Sequence, residues 1–171
     1  MTRHIAPAAA LVLLIAAVAS PAQAQEGPMA CNGTRITGAL QRADFNFDGH
    51  EDLFVTREVL AATAVADYWL WNGAKRCFEH HAGLSAIPNL AIVAANKTLN
   101  SHTNDGEAGL LYTTRDYRFE AGELVMTREV VQDSNGGAGT FLRTTRKRVD
   151  GMMKPVSTTT MTREEAEASL K

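Results

Sequence analysis

Apolar and polar residues alternate over short segments along most of the chain. The clearest segment is 110–117, where Leu111, Thr113, Arg115 and Tyr117 alternate with a second set of side chains. A period of two residues places successive side chains on opposite faces of a β-strand. This pattern predicts strands that are each buried on one face.

Turn-forming residues separate these segments into hairpins. Asn72-Gly73 and Asp150-Gly151 are dipeptides typical of tight hairpin turns, and Glu120–Glu123 is a third turn signal. Loops are predicted at 61–66, where the residues are small, and at 100–106, where they are polar. The predicted strands are 53–59, 68–71, 76–80, 91–99, 110–117, 124–132, 140–149 and 153–160. Seven to nine such strands indicate an all-β fold, a single antiparallel β-sandwich or β-barrel-like domain.

The two ends of the chain depart from the strand pattern. Thr162 and Glu165 have the spacing of a capping box, which predicts a short C-terminal helix. At the N-terminus, Arg3 and His4 precede an apolar run at 8–19 that is short for a membrane span, and Ala22-Gln23-Ala24 follows. We interpret residues 1–24 as a secretory signal peptide; the alternative is an uncleaved anchor. The predicted divisions are a signal peptide at 1–24, a flexible arm at 25–33, a β domain at 34–160 and a short helical tail at 161–171.

Charge and cysteine content narrow the class of protein. The formal net charge is −2 at pH 7, which does not indicate nucleic-acid binding. The two cysteines, Cys31 and Cys77, are expected to form a disulfide because an exported protein meets an oxidising compartment. A catalytic thiol is the alternative, but no Cys-His motif context accompanies either cysteine. We therefore expect a periplasmic or secreted protein.

The segment Asp44–Asp52 has the composition of a calcium loop. Side chains with oxygen atoms occupy its first, third, fifth and ninth positions, and glycine occupies the sixth. Ca²⁺ prefers such a set of oxygen ligands, more than Mg²⁺ does. An EF-hand needs glutamate at the twelfth position, which is Val55 here, so the loop is not an EF-hand. An ordinary turn is the alternative interpretation. The predicted ligands are Asp44, Asn46, Asp48, the backbone carbonyl of His50, and Asp52.

Two resemblances follow from these motifs. A calcium loop that leads directly into a strand, here Leu53–Thr56, resembles the loop of integrin-type FG-GAP (VCBS) repeats. The loop, the hairpin signal Tyr68–Asn72 and a later pattern resemble periplasmic proteins related to the invertebrate-type lysozyme inhibitors. The later pattern is Tyr117-Arg118-Phe119, Gly122-Glu123-Leu124-Val125, Arg128-Glu129 and Gln132-Asp133. That group includes an immunity protein against a lysozyme-like effector delivered by a type IV secretion system.

The resemblance implies an exported β domain that binds a lysozyme-like glycoside hydrolase and occludes its active-site cleft. In the inhibitors a loop with Ser, Gly and Tyr enters the cleft; the stretch at 61–68 has Tyr68 but no Ser-Gly pair. Hydroxyl, amide and carboxylate side chains on two loops are the predicted contacts with the partner. They are Thr63, Asp67, Tyr68, Ser134 and Asn135.

Other functions are less well supported by the sequence. His80, His81 and His102 are candidate zinc ligands, but adjacent histidines on a strand point to opposite faces, which disfavours a site that uses both His80 and His81. Asp105 and Glu107 lie in a polar segment with no residue to orient them, so we expect no enzyme activity. The alternative to inhibition is a calcium-stabilised envelope module that binds a glycan or another protein.

Overall fold

Ten strands and two short helices make up most of the computed structural model, which describes residues 27–136 and 139–170. The predicted signal peptide and its cleavage point lie outside the described residues. The strands are β1 Gln41–Ala43, β2 Asp52–Leu60, β3 Thr63–Asn72, β4 Cys77–His80, β5 Leu90–Val93, β6 Thr98–Gly106, β7 Leu111–Glu120, β8 Glu123–Ser134, β9 Thr140–Val149 and β10 Met152–Thr162. The helices are α1 Ala82–Ser85 and α2 Arg163–Ala168.

The strands form two antiparallel sheets in which neighbours along the chain are neighbours in space. One sheet has the order β1-β2-β3-β4 and the other β10-β9-β8-β7-β6-β5. The predicted all-β, sandwich-like class is therefore confirmed. The C-terminal helix is also confirmed, and Thr162 and Glu165 form its capping box. In the described ranges, no helix combines the length and the apolar character that crossing a membrane requires.

The loop predicted at 61–66 is wrong, because β2 and β3 form one long hairpin with its turn at Ala61-Ala62. Asn89 adds to the pairing with β2 in holding this stretch of small residues extended. Its backbone amide donates to the Ala64 carbonyl at 2.8 Å, and its side-chain oxygen accepts from the Ala64 amide at 2.6 Å. Asn89 thus makes hydrogen bonds along the edge of β3 that none of the described strands covers at this point.

The loop predicted at 100–106 is also wrong, because these residues form most of β6. Polar side chains on its open face explain the error. Asn100 donates to Asp116 at 2.7 Å, and His102 bonds to Thr114 at 2.9 Å. The strand predicted at 91–99 is divided by a short 3-10 turn, Ala94–Asn96. The two-residue turn predicted at Asn72-Gly73 is a four-residue connection, since Asn72 pairs with Cys77.

The core between the sheets is built around aromatic residues of the four-stranded sheet. Phe45 stands edge-on to Phe54 and Tyr68, with ring centroids 5.4 and 4.8 Å apart. Leu84 of α1 and Leu99 of β6 are fully buried against this cluster. The two sheets are therefore joined through one apolar cluster, with α1 filling the space between them.

A second cluster covers the outer face of the four-stranded sheet. Ala30 and Ile36, from the segment before β1, pack with Leu53 and Phe78. Ala30 forms a parallel bridge to Phe78 at the edge of β4. The segment predicted as a flexible arm is thus paired with the sheet over part of its length. The predicted disulfide between Cys31 and Cys77 is confirmed and fixes this attachment.

Loss of the disulfide should destabilise the fold strongly. The bridge joins residues separated by 46 positions. For a closed loop of that length, the chain-entropy model gives about 3–4 kcal/mol of stabilisation. We expect the double variant Cys31→Ala/Cys77→Ala to lose about this free energy of unfolding in urea titrations. A loss below about 1 kcal/mol would contradict the predicted contribution.

Candidate metal loop and binding surfaces

The connection from β1 to β2 is held to the core by its two phenylalanines. Phe45 is buried, and Phe47 packs against the same cluster. The residues that alternate with them, Asp44, Asn46 and Asp48, carry side-chain oxygens of the predicted metal site. Phe47 has a left-handed backbone with φ 60°, which costs a residue with a side chain about 1–2 kcal/mol. Gly49, at φ 89°, adopts a similar conformation without that cost.

Three predicted ligands are brought together by hydrogen bonds inside the loop. The oxygens of Asp44 accept from the amides of Asp48 at 3.2 Å and Gly49 at 2.9 Å. Asn46 accepts from the Asp48 amide at 3.1 Å and donates to the Asp48 carboxylate at 2.9 Å. The exposed residue His50 donates its amide to Asp48 at 2.8 Å. The loop is thus a compact turn closed by hydrogen bonds to its own side-chain oxygen atoms.

Asp52 differs from the other predicted ligands because it is completely buried. Its oxygens accept from the amides of Phe45 at 2.8 Å and Trp71 at 2.9 Å. Burial raises the pKa of Asp52; the two amide bonds oppose that rise, and the negative charges of Asp48 and Asp44 add to it. This carboxylate therefore ties the loop to β3, a role that needs no metal. Its role as a ligand stays a prediction.

The donor set fits a hard cation in charge and in atom type. Carboxylate and amide oxygens from Asp44, Asn46 and Asp48 lie in one turn; burial is the main cause of the raised pKa of Asp52, and the charges of Asp48 and Asp44 add to it. Arg42, beside the loop, pairs with Glu51 at 3.5 Å. Within the described part of the chain, no three His, Cys, Asp or Glu side chains form a metal-binding group on their own. A site here would depend on the Asn46 amide and a backbone carbonyl.

The two kinds of aspartate in this loop should respond differently to mutation. Without added calcium, Asp52→Ala leaves two buried amides unsatisfied, so we expect a loss of about 2–4 kcal/mol of unfolding free energy. Asp48→Ala removes an exposed carboxylate and should cost about 1 kcal/mol or less. Chemical denaturation of both variants in the presence of a chelator measures the difference. Equal losses would contradict the separate role assigned to Asp52.

The structure separates the partner residues predicted near β3. Thr63 is exposed at the tip of the β2–β3 hairpin, opposite Leu60. Asp67 lies further along β3, 3.3 Å from Arg57 and 3.6 Å from His80. Tyr68 is only 4% exposed and belongs to the core, so its placement in an exposed loop was wrong. Of this group, Thr63 is the residue placed to meet a partner.

Ser134 and Asn135 are exposed at the end of β8, on the six-stranded sheet. The Asn135 amide donates to the Thr140 carbonyl at 3.1 Å, which closes the start of the β8–β9 connection. Thr63 lies instead on the four-stranded sheet, beside Asn89. The two sets of predicted contacts therefore belong to different sheets.

The hairpin tip carries an apolar surface that sequence reasoning missed. Val59 is 66% exposed and Leu60 is 61% exposed, and Ala61 and Ala62 follow them. These four residues, with Thr63, are called the hairpin tip below. The missing signal was the start of β3: with 61–66 predicted as a loop, Val59 and Leu60 could not be recognised as the end of a long hairpin.

A serine, a histidine and an aspartate also meet in this sheet without being predicted. Ser85 Oγ lies 3.1 Å from His80 Nε2, and Asp67 Oδ1 lies 3.6 Å from the same nitrogen. A catalytic triad needs the aspartate on the other ring nitrogen. Ser85 is also nearly buried, and its Oγ accepts from the Tyr68 amide at 3.0 Å. The geometry is that of a structural hydrogen-bond cluster that positions α1 against β3.

Comparison with known proteins identifies a similar fold. The chain is similar to a solved structure described as "Structure of a Xanthomonas Type IV Secretion System related protein", with a TM-score of 0.58 and 23% sequence identity. The match covers 77% of this chain and 64% of the other, so this chain spans less than two thirds of that protein's length. At this identity the likeness shows the fold alone. No family model and no curated protein matched the sequence.

Proposed function

We propose that this protein is an exported, calcium-braced inhibitor or immunity protein that occludes the cleft of a lysozyme-like peptidoglycan hydrolase. The observation that carries the proposal is the hairpin tip, where Val59 and Leu60 are both more than half exposed. Val59 and Leu60 are consecutive on β2, so they present apolar side chains on both faces of the hairpin end, where a cleft that encloses the hairpin could contact both. The hairpin tip is the element that enters the partner's cleft.

The hairpin is suited to insertion because it projects from the sheet and is held rigidly. β1 pairs only with residues 52–54 of β2, and β4 pairs only with residues 69–72 of β3. The part beyond these pairs is a two-stranded ribbon. Asn89 supports it from the side, donating to the carbonyl of Ala62 at 2.9 Å and bonding twice to Ala64. A preorganised ribbon loses little conformational entropy on binding.

Asp67 and Tyr68 then support the hairpin from its base and make no contact with the partner. Thr63 supplies a hydroxyl at the tip, where it can hydrogen-bond to a carboxylate. A lysozyme-like cleft carries two carboxylates on either side of the scissile bond. The hairpin tip thus combines apolar contact with one hydrogen-bond donor, and it needs no Ser-Gly pair.

The description of the Xanthomonas structure is consistent with the kind of secretion system that this proposal involves. That protein is described as related to a type IV secretion system. The family resemblance includes an immunity protein against an effector delivered by such a system. The disulfide between Cys31 and Cys77 fits an exported protein, and the proposed location is the periplasm.

Calcium is proposed to brace the connection between β1 and β2. Asp44, Asn46, Asp48 and the His50 carbonyl would hold the ion, with Asp52 behind them. A bound cation would offset the repulsion among the carboxylates and hold the loop in the conformation that places Phe45 and Phe47 in the core. The scaffold of the hairpin would be stabilised by the same ion.

Charged substitutions at the hairpin tip should abolish inhibition without unfolding the protein. We expect Val59→Asp and Leu60→Asp each to weaken inhibition of a susceptible hydrolase by at least about tenfold, because buried anchors dominate interface energies. The measurement is peptidoglycan lysis by a panel of lysozymes of the invertebrate type and other muramidases. Val156→Asp is the matched control, since Val156 is 50% exposed on β10.

Two results would overturn this assignment. The first is full inhibition by both tip variants at an unchanged melting temperature. The second is a wild-type protein that inhibits no member of the panel and forms no complex with any of them. Reduced inhibition by Val156→Asp equal to that of the tip variants would place the contact elsewhere and contradict the tip.

Removal of calcium should lower the melting temperature of the wild-type protein. At a calcium concentration about 100 times the dissociation constant, binding adds about 2.7 kcal/mol. For a domain of this size the chelator should therefore lower the melting temperature by about 5–10 °C. Asp48→Ala should abolish the difference, whereas the control Glu120→Ala, which removes an exposed carboxylate on β7, should retain it. Identical wild-type melting curves with calcium and with chelator would exclude the ion.

A further inference from the structure

Two adjoining cavities lie on the outer face of the four-stranded sheet, beside the segment that precedes β1. Their volumes are about 410 and 470 Å³. Both are lined by Ala30, Asn32, Trp69 and His80, so the two hollows adjoin at these residues; together they are called the Trp69 groove below. Small-molecule sites have volumes in this range.

The indole of Trp69 lies where the two cavities meet. Trp69 is half-buried, and its ring stands edge-on to that of His80 with centroids 5.6 Å apart. Trp71, on the same face of β3, packs against Phe78 at 5.0 Å and lines neither cavity. Both tryptophans pack against the outer-face cluster, but only Trp69 also lines the groove.

Polar side chains surround the indole on both sides. Glu79 lines one cavity and Arg35 the other, while Asn32 lines both. A hydrogen bond from Lys75 lowers the pKa of Glu79, and the two side chains form an ion pair. Thr34 and Thr37 add hydroxyl groups to the second cavity. The groove thus offers donors and acceptors on both sides of an apolar ring, and its carboxylate is already neutralised by Lys75.

We infer that the Trp69 groove binds a neutral oligosaccharide, with one pyranose ring stacked on the indole. A pyranose has an apolar C–H face and a rim of hydroxyl groups, each of which is both a donor and an acceptor. The C–H face matches the indole. The hydroxyl rim matches the mixed polar groups of Asn32, Arg35 and Glu79. The combined volume accommodates more than one sugar unit, so the ligand class is a short glycan chain.

A peptide fits this groove less well. An extended peptide commonly binds by adding a strand to a sheet edge. At β4 that edge is already occupied, because the Cys31 amide donates to the Phe78 carbonyl at 2.9 Å and the Phe78 amide donates to the Met29 carbonyl at 3.1 Å. An apolar peptide would also desolvate the Arg35 guanidinium without pairing it, which is costly.

The test is titration of the full chain with chitotetraose and with cellotetraose, followed by calorimetry and tryptophan fluorescence. We expect binding of at least one of them, and the comparison shows whether N-acetyl groups contribute to affinity. Trp69→Ala should weaken binding by at least about tenfold, or about 1.4 kcal/mol. Trp69→Phe should retain part of the affinity because a smaller aromatic face remains.

Trp71→Phe is the matched control: it removes a tryptophan from the same face of β3, outside the groove, and should leave the affinity unchanged. Arg35→Ala changes an exposed residue and should weaken binding without affecting folding, so the test does not depend on Trp69 variants alone. Absence of calorimetric binding for both saccharides at about 10 mM, with the protein folded, would overturn the inference, since that concentration lies well above the dissociation constant of even a weak specific site. Unchanged affinity in both Trp69→Ala and Arg35→Ala would overturn it as well.

This site is independent of the proposed inhibitory function. Trp69 pairs with Leu53 at the base of the β2–β3 hairpin, whereas the hairpin tip is at its other end. Trp69→Ala should therefore retain inhibition of a hydrolase, and the tip variants should retain saccharide binding. If the lysis assay disproves inhibition by the hairpin tip, calorimetry still tests saccharide binding by the Trp69 groove, and the reverse also holds.

Discussion

The arrangement of the four-stranded sheet depends on one buried carboxylate. Asp52 accepts hydrogen bonds from Phe45 before it in the chain and from Trp71 on the adjacent strand. Phe45 is an aromatic centre of the inter-sheet core, and Trp71 belongs to the cluster on the opposite face. A single side chain thus joins the acidic loop, the core and the outer face. Such a group is costly to bury without partners, and here both of its oxygens have one.

Because β3 passes between two apolar clusters, its alternating side chains serve different surfaces. Tyr68 faces the inter-sheet core, while Trp69 faces the outer side and lines the Trp69 groove. The same strand continues to the hairpin tip, where core packing ends and apolar residues remain exposed. The two candidate binding surfaces therefore share one strand but lie at its two ends, which explains why one can change without the other.

The fold class, the disulfide and the C-terminal capping box could be predicted because each has a local signature: alternation, two cysteines, and a Thr–Glu pair three residues apart. The loops predicted at 61–66 and 100–106 failed for a common reason. In each, small or polar residues hid backbone pairing with another strand: the first pairs with β2 and is also bound by Asn89, and the second pairs with β7, where Asn100 bonds to Asp116. Likewise, the composition of the acidic loop indicated oxygen ligands, but it could not distinguish exposed Asp48 from Asp52, whose oxygens face backbone amides.

The sheet that carries both candidate surfaces is the smaller of the two, and its outer face needs a cover. The segment from Met29 to Leu40 supplies that cover with few residues of its own, so its position depends on strong local ties. The disulfide holds one end to β4, and the acidic loop holds the other end to β2 and β3 through Asp52. The disulfide therefore fixes one end of this segment, and the hydrogen bonds to the Asp52 carboxylate fix the loop that follows its other end. The Trp69 groove lies between them, and its shape depends on both.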